Sequence, residues 1–131
     1  MNLIKSIEIN NKTFNVAQAP ALEQKRLMLL LGGKIAFNSN AADADINVKL
    51  LIGALMTLPE ETFDKVAKIV LYKTTLSGES TPIDVGSFQG SMVEYFTLVA
   101  EAVSHNLNDF FTWLDADRAG RRASNQPSAT N

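Results

Sequence analysis

The chain has 131 residues, with 12 Lys and Arg against 14 Asp and Glu, and it contains no Cys. This length predicts one domain that buries roughly two-thirds of its unfolded surface. The net charge of -2 gives no electrostatic argument for binding nucleic acid or an anionic membrane, and the lack of Cys excludes disulfides, thiolate metal sites and thiol catalysis. No apolar run approaches the roughly eighteen residues of a membrane span, so a soluble intracellular protein is expected.

A β-hairpin is predicted at residues 3–18, where the sequence is LIKSIEINNKTFNVAQ. Apolar and polar side chains alternate there, which is typical of a strand pair with one face on a core. A two-residue turn is placed at residues 11–12, because that register matches apolar residues across the strands. The predicted pairs are Ile9 with Phe14 and Ile7 with Val16.

About five helices are predicted after the hairpin. Pro20 suits a first helical turn, and the following run LEQKRLMLLL stops naturally at Gly32-Gly33. The later helices are placed at about 45–56, from residue 59 onward, from 88 or 91 to about 105, and after a cap at 106–108. Residues 74–86 are rich in turn formers, with a short extended piece at Ile83 and Val85.

These elements predict a mainly α fold, with the helices packed on the N-terminal hairpin and only minor β content. The domain is expected to span residues 1–120. Residues 121–131 contain no large apolar side chain and are expected to form a disordered polar tail.

Aromatic side chains are concentrated near the end of the predicted domain. Residues 88–114 hold six of the chain's ten aromatics, and these six are the candidate partner-binding residues: Phe88, Tyr95, Phe96, Phe110, Phe111 and Trp113. Between residues 92 and 103 only Glu94, Thr97 and Glu101 are polar, and their spacing predicts one narrow polar stripe. A helix so apolar must be covered on several sides, either by its own domain or by a partner chain.

No motif for catalysis or for binding a cofactor is present. The best catalytic candidates are Glu101, His105 and Asp109, whose spacing of four predicts one helical face. The same three residues also fit the solvated side and end of an amphipathic helix. Acidic residues near the helix starts are explained by capping, and no calcium-binding loop is present.

A resemblance to a known family emerges from several segments. They are the run LLLGGK, the run LPEETFDKVAKIVL, the run FQGSMVEYF and the ending NLNDFF. Over most of residues 3–114 the chain resembles the tail assembly chaperones of long-tailed bacteriophages. The residues that follow this pattern most distinctly are Phe88, Gly90, Glu94, Tyr95, Asn106 and Phe110.

The resemblance implies a non-enzymatic late phage protein without a cofactor. Such a protein is expected to coat the tape measure protein during tail building and to help recruit tail tube subunits. It would self-associate in the host cytoplasm and be absent from the finished virion. A frameshifted, extended form is implied for many such proteins, and the polar sequence after Gly120 would suit that junction.

Two other functions are kept open. One is a metal-dependent enzyme built on Glu101, His105 and Asp109. The other is a generic oligomeric structural or regulatory phage protein. A bound metal would favour the first, whereas a helical peptide partner without turnover would favour the chaperone.

Overall fold

The computed structural model describes residues 3–32, 44–81 and 83–110. Within them the strands are β1 (Ile4–Ile9), β2 (Lys12–Ala17) and β3 (Thr75–Leu76). The α-helices are α1 (Ala21–Leu31), α2 (Ala44–Leu55), α3 (Glu60–Leu71) and α4 (Met92–Asn106), with a 3-10 helix at Val85–Phe88. The predicted class, mainly α with a small antiparallel sheet, is confirmed. The predicted tail at 121–131 lies outside the described residues, and the domain boundary stays a prediction.

The hairpin exists, but its predicted register is wrong. The turn is at Asn10 and Asn11, and Ile7 pairs with Phe14 where Val16 was expected. Both turn residues have a positive φ, 48° and 67°, as a tight hairpin turn requires. Asn tolerates that conformation better than Lys, so turn chemistry outweighed the apolar match. The shift is two residues and keeps every side chain on its face, so the inner residues are still Ile7, Phe14 and Val16.

Backbone chemistry sets the ends of the predicted first and third helices. Pro20 and Pro59 are extended residues immediately before α1 and α3, where the missing N–H carries no cost. Gly32 ends α1 with a φ of 57°, and its N–H donates to the Met28 carbonyl at 3.0 Å. Glycine enters the left-handed region without strain, which explains the helix end there.

The segment between α3 and α4 differs from its prediction. Thr75 and Leu76 form β3, which pairs antiparallel with β2 and completes a sheet of order β1-β2-β3. The predicted extended piece is wrong at Val85, which begins the 3-10 helix. The Ile83 N–H donates to the Thr74 carbonyl at 3.0 Å. The Thr74 hydroxyl is fully buried and has no hydrogen-bond partner within the described chain.

Helix α4 is the central element of the core, packed against α2, α3 and β1. Its C-terminal end is held by polar contacts to the chain leaving β2. The Asn106 side-chain oxygen accepts the Ala19 N–H at 2.7 Å, and its nitrogen donates to the Ala102 carbonyl at 2.9 Å. The Gln18 amide donates to the His105 carbonyl at 2.8 Å. The two bonds made by Gln18 and Ala19 fix the end of the hairpin to the helix across 87 residues of sequence.

Candidate partner-binding surface

The middle of α4 is covered by the protein's own domain. Five residues there have no exposed surface, namely Leu98, Val99, Ala100, Ala102 and Val103. The start of the helix is different, because Met92 is 43% exposed and Val93 is 80% exposed. The sequence left open whether the domain itself or a partner chain covers this apolar helix. Along its middle, the domain itself covers it.

The aromatic residues at the start of the candidate region form a cluster within the domain. The Phe88 ring lies 6.1 Å from Phe14 and 5.4 Å from Tyr95, measured between centroids. Phe96 lies 5.7 Å from Tyr95 and 5.2 Å from Phe63. Phe88 and Tyr95 are buried, whereas Phe96 is half-buried at the edge of the cluster. Of these three candidates, only Phe96 therefore reaches the domain surface.

The other three candidate aromatics lie at the end of the described chain. Phe110 is half-buried and packs against the core, and its N–H donates to the Asp109 carboxylate at 2.8 Å. Residues 108–110 are helical after a break at Leu107, as the predicted cap implied. Phe111 and Trp113 lie outside the described residues. Phe96 and Phe110 are thus the candidates whose partial exposure the structure describes.

The first residue of the predicted polar stripe of α4 is covered by another part of the domain. Glu94 is buried, and its carboxylate accepts the Asn10 side-chain amide at 3.2 Å. The Lys12 ammonium lies 3.6 Å from the same carboxylate. Asn10 is in the hairpin turn and Lys12 directly follows it, so the turn docks on the first turn of α4. Tertiary packing buries Glu94, whereas helical spacing predicts only that the three polar residues share one side of the helix.

The phenol of Tyr95 borders a hollow of about 280 Å³ between α3 and residues 83–85. Burial raises the pKa of Tyr95 above its ordinary value of 10.0, and the Asp64 carboxylate raises the pKa further. Tyr95 is therefore a neutral phenol at neutral pH, which suits a packing role in the aromatic cluster.

Glu101, His105 and Asp109 are not assembled into a metal site. The described residues contain no group of three or more His, Asp or Glu side chains able to hold a metal ion. The Nε2 atom of His105 lies 3.2 Å from the Leu3 carbonyl oxygen, and Asp109 accepts the Phe110 N–H. Two of the three side chains thus make contacts that hold the backbone.

A groove that the sequence did not reveal lies between α1 and α3, with a volume of about 580 Å³. Leu30, Ile69 and Tyr72 supply its apolar lining, and charged side chains border it. The sequence indicated this groove only weakly, since Lys65 and Lys68 are predicted as ordinary surface residues of α3. Only the packing of α1 on α3 brings the lysines beside Leu30.

Partly exposed apolar and aromatic side chains are typical of a protein that works by association. Residues 10–118 match the family model of phage tail assembly chaperone proteins, TAC. The chain belongs to this family, whose name indicates a role in tail assembly. No curated protein and no solved structure matches the chain. No helix among the described residues is long and apolar enough to cross a membrane.

Proposed function

We propose that this protein binds the tape measure protein during tail building and helps recruit tail tube subunits. Membership of the tail assembly chaperone family is the observation that supports the proposal most strongly. The partly exposed aromatic side chains of Phe96 in α4 and Phe110 after it add to it, because such side chains commonly anchor interfaces. A tape measure segment that is helical and amphipathic would bury its apolar side on them.

The proposed contact residues are Phe96, Phe110, Phe111 and Trp113. Phe88 and Tyr95 support Phe96 from inside, since they hold it through the aromatic cluster. Each surface aromatic would contribute about 2 kcal/mol of binding free energy if the complex removed it fully from water. Residues 121–131 contain no large apolar side chain and are expected to be dispensable for binding.

Co-purification with the tape measure protein of the same phage tests the proposal. The tagged full chain, a 1–120 truncation and Trp113→Ala are each co-expressed with it, and circular dichroism checks that each variant is folded. We expect the full chain and the truncation to retain the tape measure protein and Trp113→Ala to retain much less. Met56→Ala is the matched control, because Met56 is an apolar side chain 65% exposed on another surface.

Failure of the full chain to retain the tape measure protein would overturn the proposed function. If only the 1–120 truncation fails to retain the tape measure protein, residues 121–131 make the contact. The assignment of the contact to the aromatic residues would then be wrong. Equal loss in Met56→Ala would mean that any exposed apolar truncation weakens binding.

The remaining parts of the proposal concern assembly. Self-association in the host cytoplasm would place many copies along one long partner, and a near-neutral net charge does not oppose it. Recruitment of tail tube subunits, directly or through a frameshifted extended form, would follow binding. Release before the virion is complete would explain absence from the finished particle.

A further inference from the structure

We infer that the groove between α1 and α3 is a second docking surface, which accepts an amphipathic helix carrying carboxylates along its flanks. The inference rests on the proposed function, because it states the chemistry of a helical partner. The groove residues are distinct from the proposed contact residues Phe96, Phe110, Phe111 and Trp113.

The shape of the groove favours a short helical occupant. Its lining extends along α1 from Pro20 to Leu30 and along α3 from Lys65 to Tyr72. Ten residues of α1 span about 15 Å, which is the length of roughly three helical turns. A groove between two packed helices accepts a third helix through side chains spaced three and four residues apart.

The apolar lining is suited to such side chains. Leu30 is half-buried, Ile69 is 8% exposed, and Tyr72 is 66% exposed at the end of α3. The Tyr72 ring is an amphipathic side chain that a partner would bury while its hydroxyl stays at the rim. The Lys73 ammonium lies 6.0 Å from the centre of that ring, which adds a cation beside the groove.

The border of the groove is mainly cationic. It carries Arg26, Lys65 and Lys68 against one carboxylate, that of Glu23. Arg26 pairs with Glu23 at 2.6 Å and Lys65 lies 3.6 Å from Glu61. Lys68 makes no ion pair with any residue of the described ranges. An occupant with acidic flanks would complement this border and be attracted to it over about 8–10 Å at moderate salt.

A second copy of the chain fits the groove less well. The most exposed apolar side chains of α1, Leu22 and Leu29, lie seven residues apart on one side of that helix, with Lys25 and Arg26 between them. Leu50 of α2 is 42% exposed and follows Lys49. These helices would bring positive charge to a positive border, which disfavours their docking.

Peptide binding to the intact full chain tests the inference. Overlapping peptides of about twenty residues, which span about 30 Å when helical, would cover the tape measure protein of the same phage. Their affinities would be measured by fluorescence anisotropy. We expect the peptides that bind to be amphipathic and acidic, and their affinity to fall with salt. Lys68→Glu should lower the affinity of these peptides about tenfold, since it removes one electrostatic attraction and adds one electrostatic repulsion.

Matched controls separate the groove from general charge and apolar effects. Lys49→Glu makes the same charge change at an exposed residue of α2. Met56→Ala is the control for Tyr72→Ala, because the two side chains are exposed to the same extent. We expect weakening from Lys68→Glu and Tyr72→Ala but not from the two controls. Changing a flanking Glu of the best peptide to Lys should restore part of the affinity for Lys68→Glu.

Three results would overturn the inference. The first is that no acidic amphipathic peptide binds. The second is equal binding by Lys68→Glu and Lys49→Glu. The third is that Lys68→Glu abolishes self-association without changing peptide binding, which would make a second copy the occupant. The co-purification with Trp113→Ala is scored separately, so failure of the groove leaves the proposed function standing.

Discussion

Replacing Asn106 by Ala is expected to destabilise the fold by about 2–3 kcal/mol. Asn106 is 3% exposed, accepts the Ala19 N–H at 2.7 Å and donates to the Ala102 carbonyl at 2.9 Å. Each lost bond costs about 1 kcal/mol, and the stranded N–H of Ala19 adds a further desolvation cost. The bond to Ala19 also joins the end of β2 to the end of α4, so local truncation affects long-range packing.

Urea unfolding followed by circular dichroism measures this effect. Asn108→Ala is the matched control, because Asn108 is exposed two residues further along and should change stability by less than about 0.5 kcal/mol. If Asn106→Ala were no less stable than Asn108→Ala, the contact between β2 and α4 would not stabilise the fold as argued.

Asn106→Asp extends the same prediction to pH. The new carboxylate would be buried at the C-terminal end of a helix, and both effects raise its pKa above the unfolded value of about 4. The folded state then binds the proton more tightly, so the variant should gain stability relative to the parent as pH falls through that raised pKa. A loss relative to the parent on acidification would refute the argument.

Four further predictions follow from other parts of the structure. Thr74→Val should raise stability by up to about 1 kcal/mol in urea unfolding, because it removes a buried hydroxyl without a partner in the described chain; a large loss would show a hidden partner. Gly32→Ala should cost about 1 kcal/mol through backbone strain at φ 57°, since no atom of the described residues lies within 4 Å of the added methyl group; no change would argue against that helix end. His105→Ala should change stability by less than about 1 kcal/mol, and one equivalent of zinc found by elemental analysis and lost in this variant would contradict a structural role. The protein should self-associate when its concentration is raised about a hundredfold in light scattering, whereas a strict monomer throughout would oppose the assembly proposal.

The helices whose ends are marked by Pro or Gly were predicted best from the sequence. Helix α1 lies between Pro20 and Gly32, and α3 follows Pro59, as the backbone chemistry of these residues requires. The hairpin was found but not its register, since two Asn residues accept the positive φ of the turn and the apolar pattern alone is ambiguous by two residues. Strand β3 has only two residues, too few to show an alternating pattern.

The candidate surface depended on contacts that no local pattern contains. Phe88 and Tyr95 are buried because Phe14 and Phe63, distant in sequence, complete their cluster. Glu94 is buried because the hairpin turn approaches α4. The groove between α1 and α3 likewise exists only once two helices pack. Helical spacing identified the aromatic segment but could not divide it into core and surface.

The chaperone proposal is tested most directly by the solubility of the tape measure protein. That protein would be produced with this chain, without it, or with Trp113→Ala, in the absence of the other tail proteins. The account predicts that the soluble fraction rises when the full chain is present and rises much less with the variant. A soluble fraction that is the same with and without the chain would contradict it.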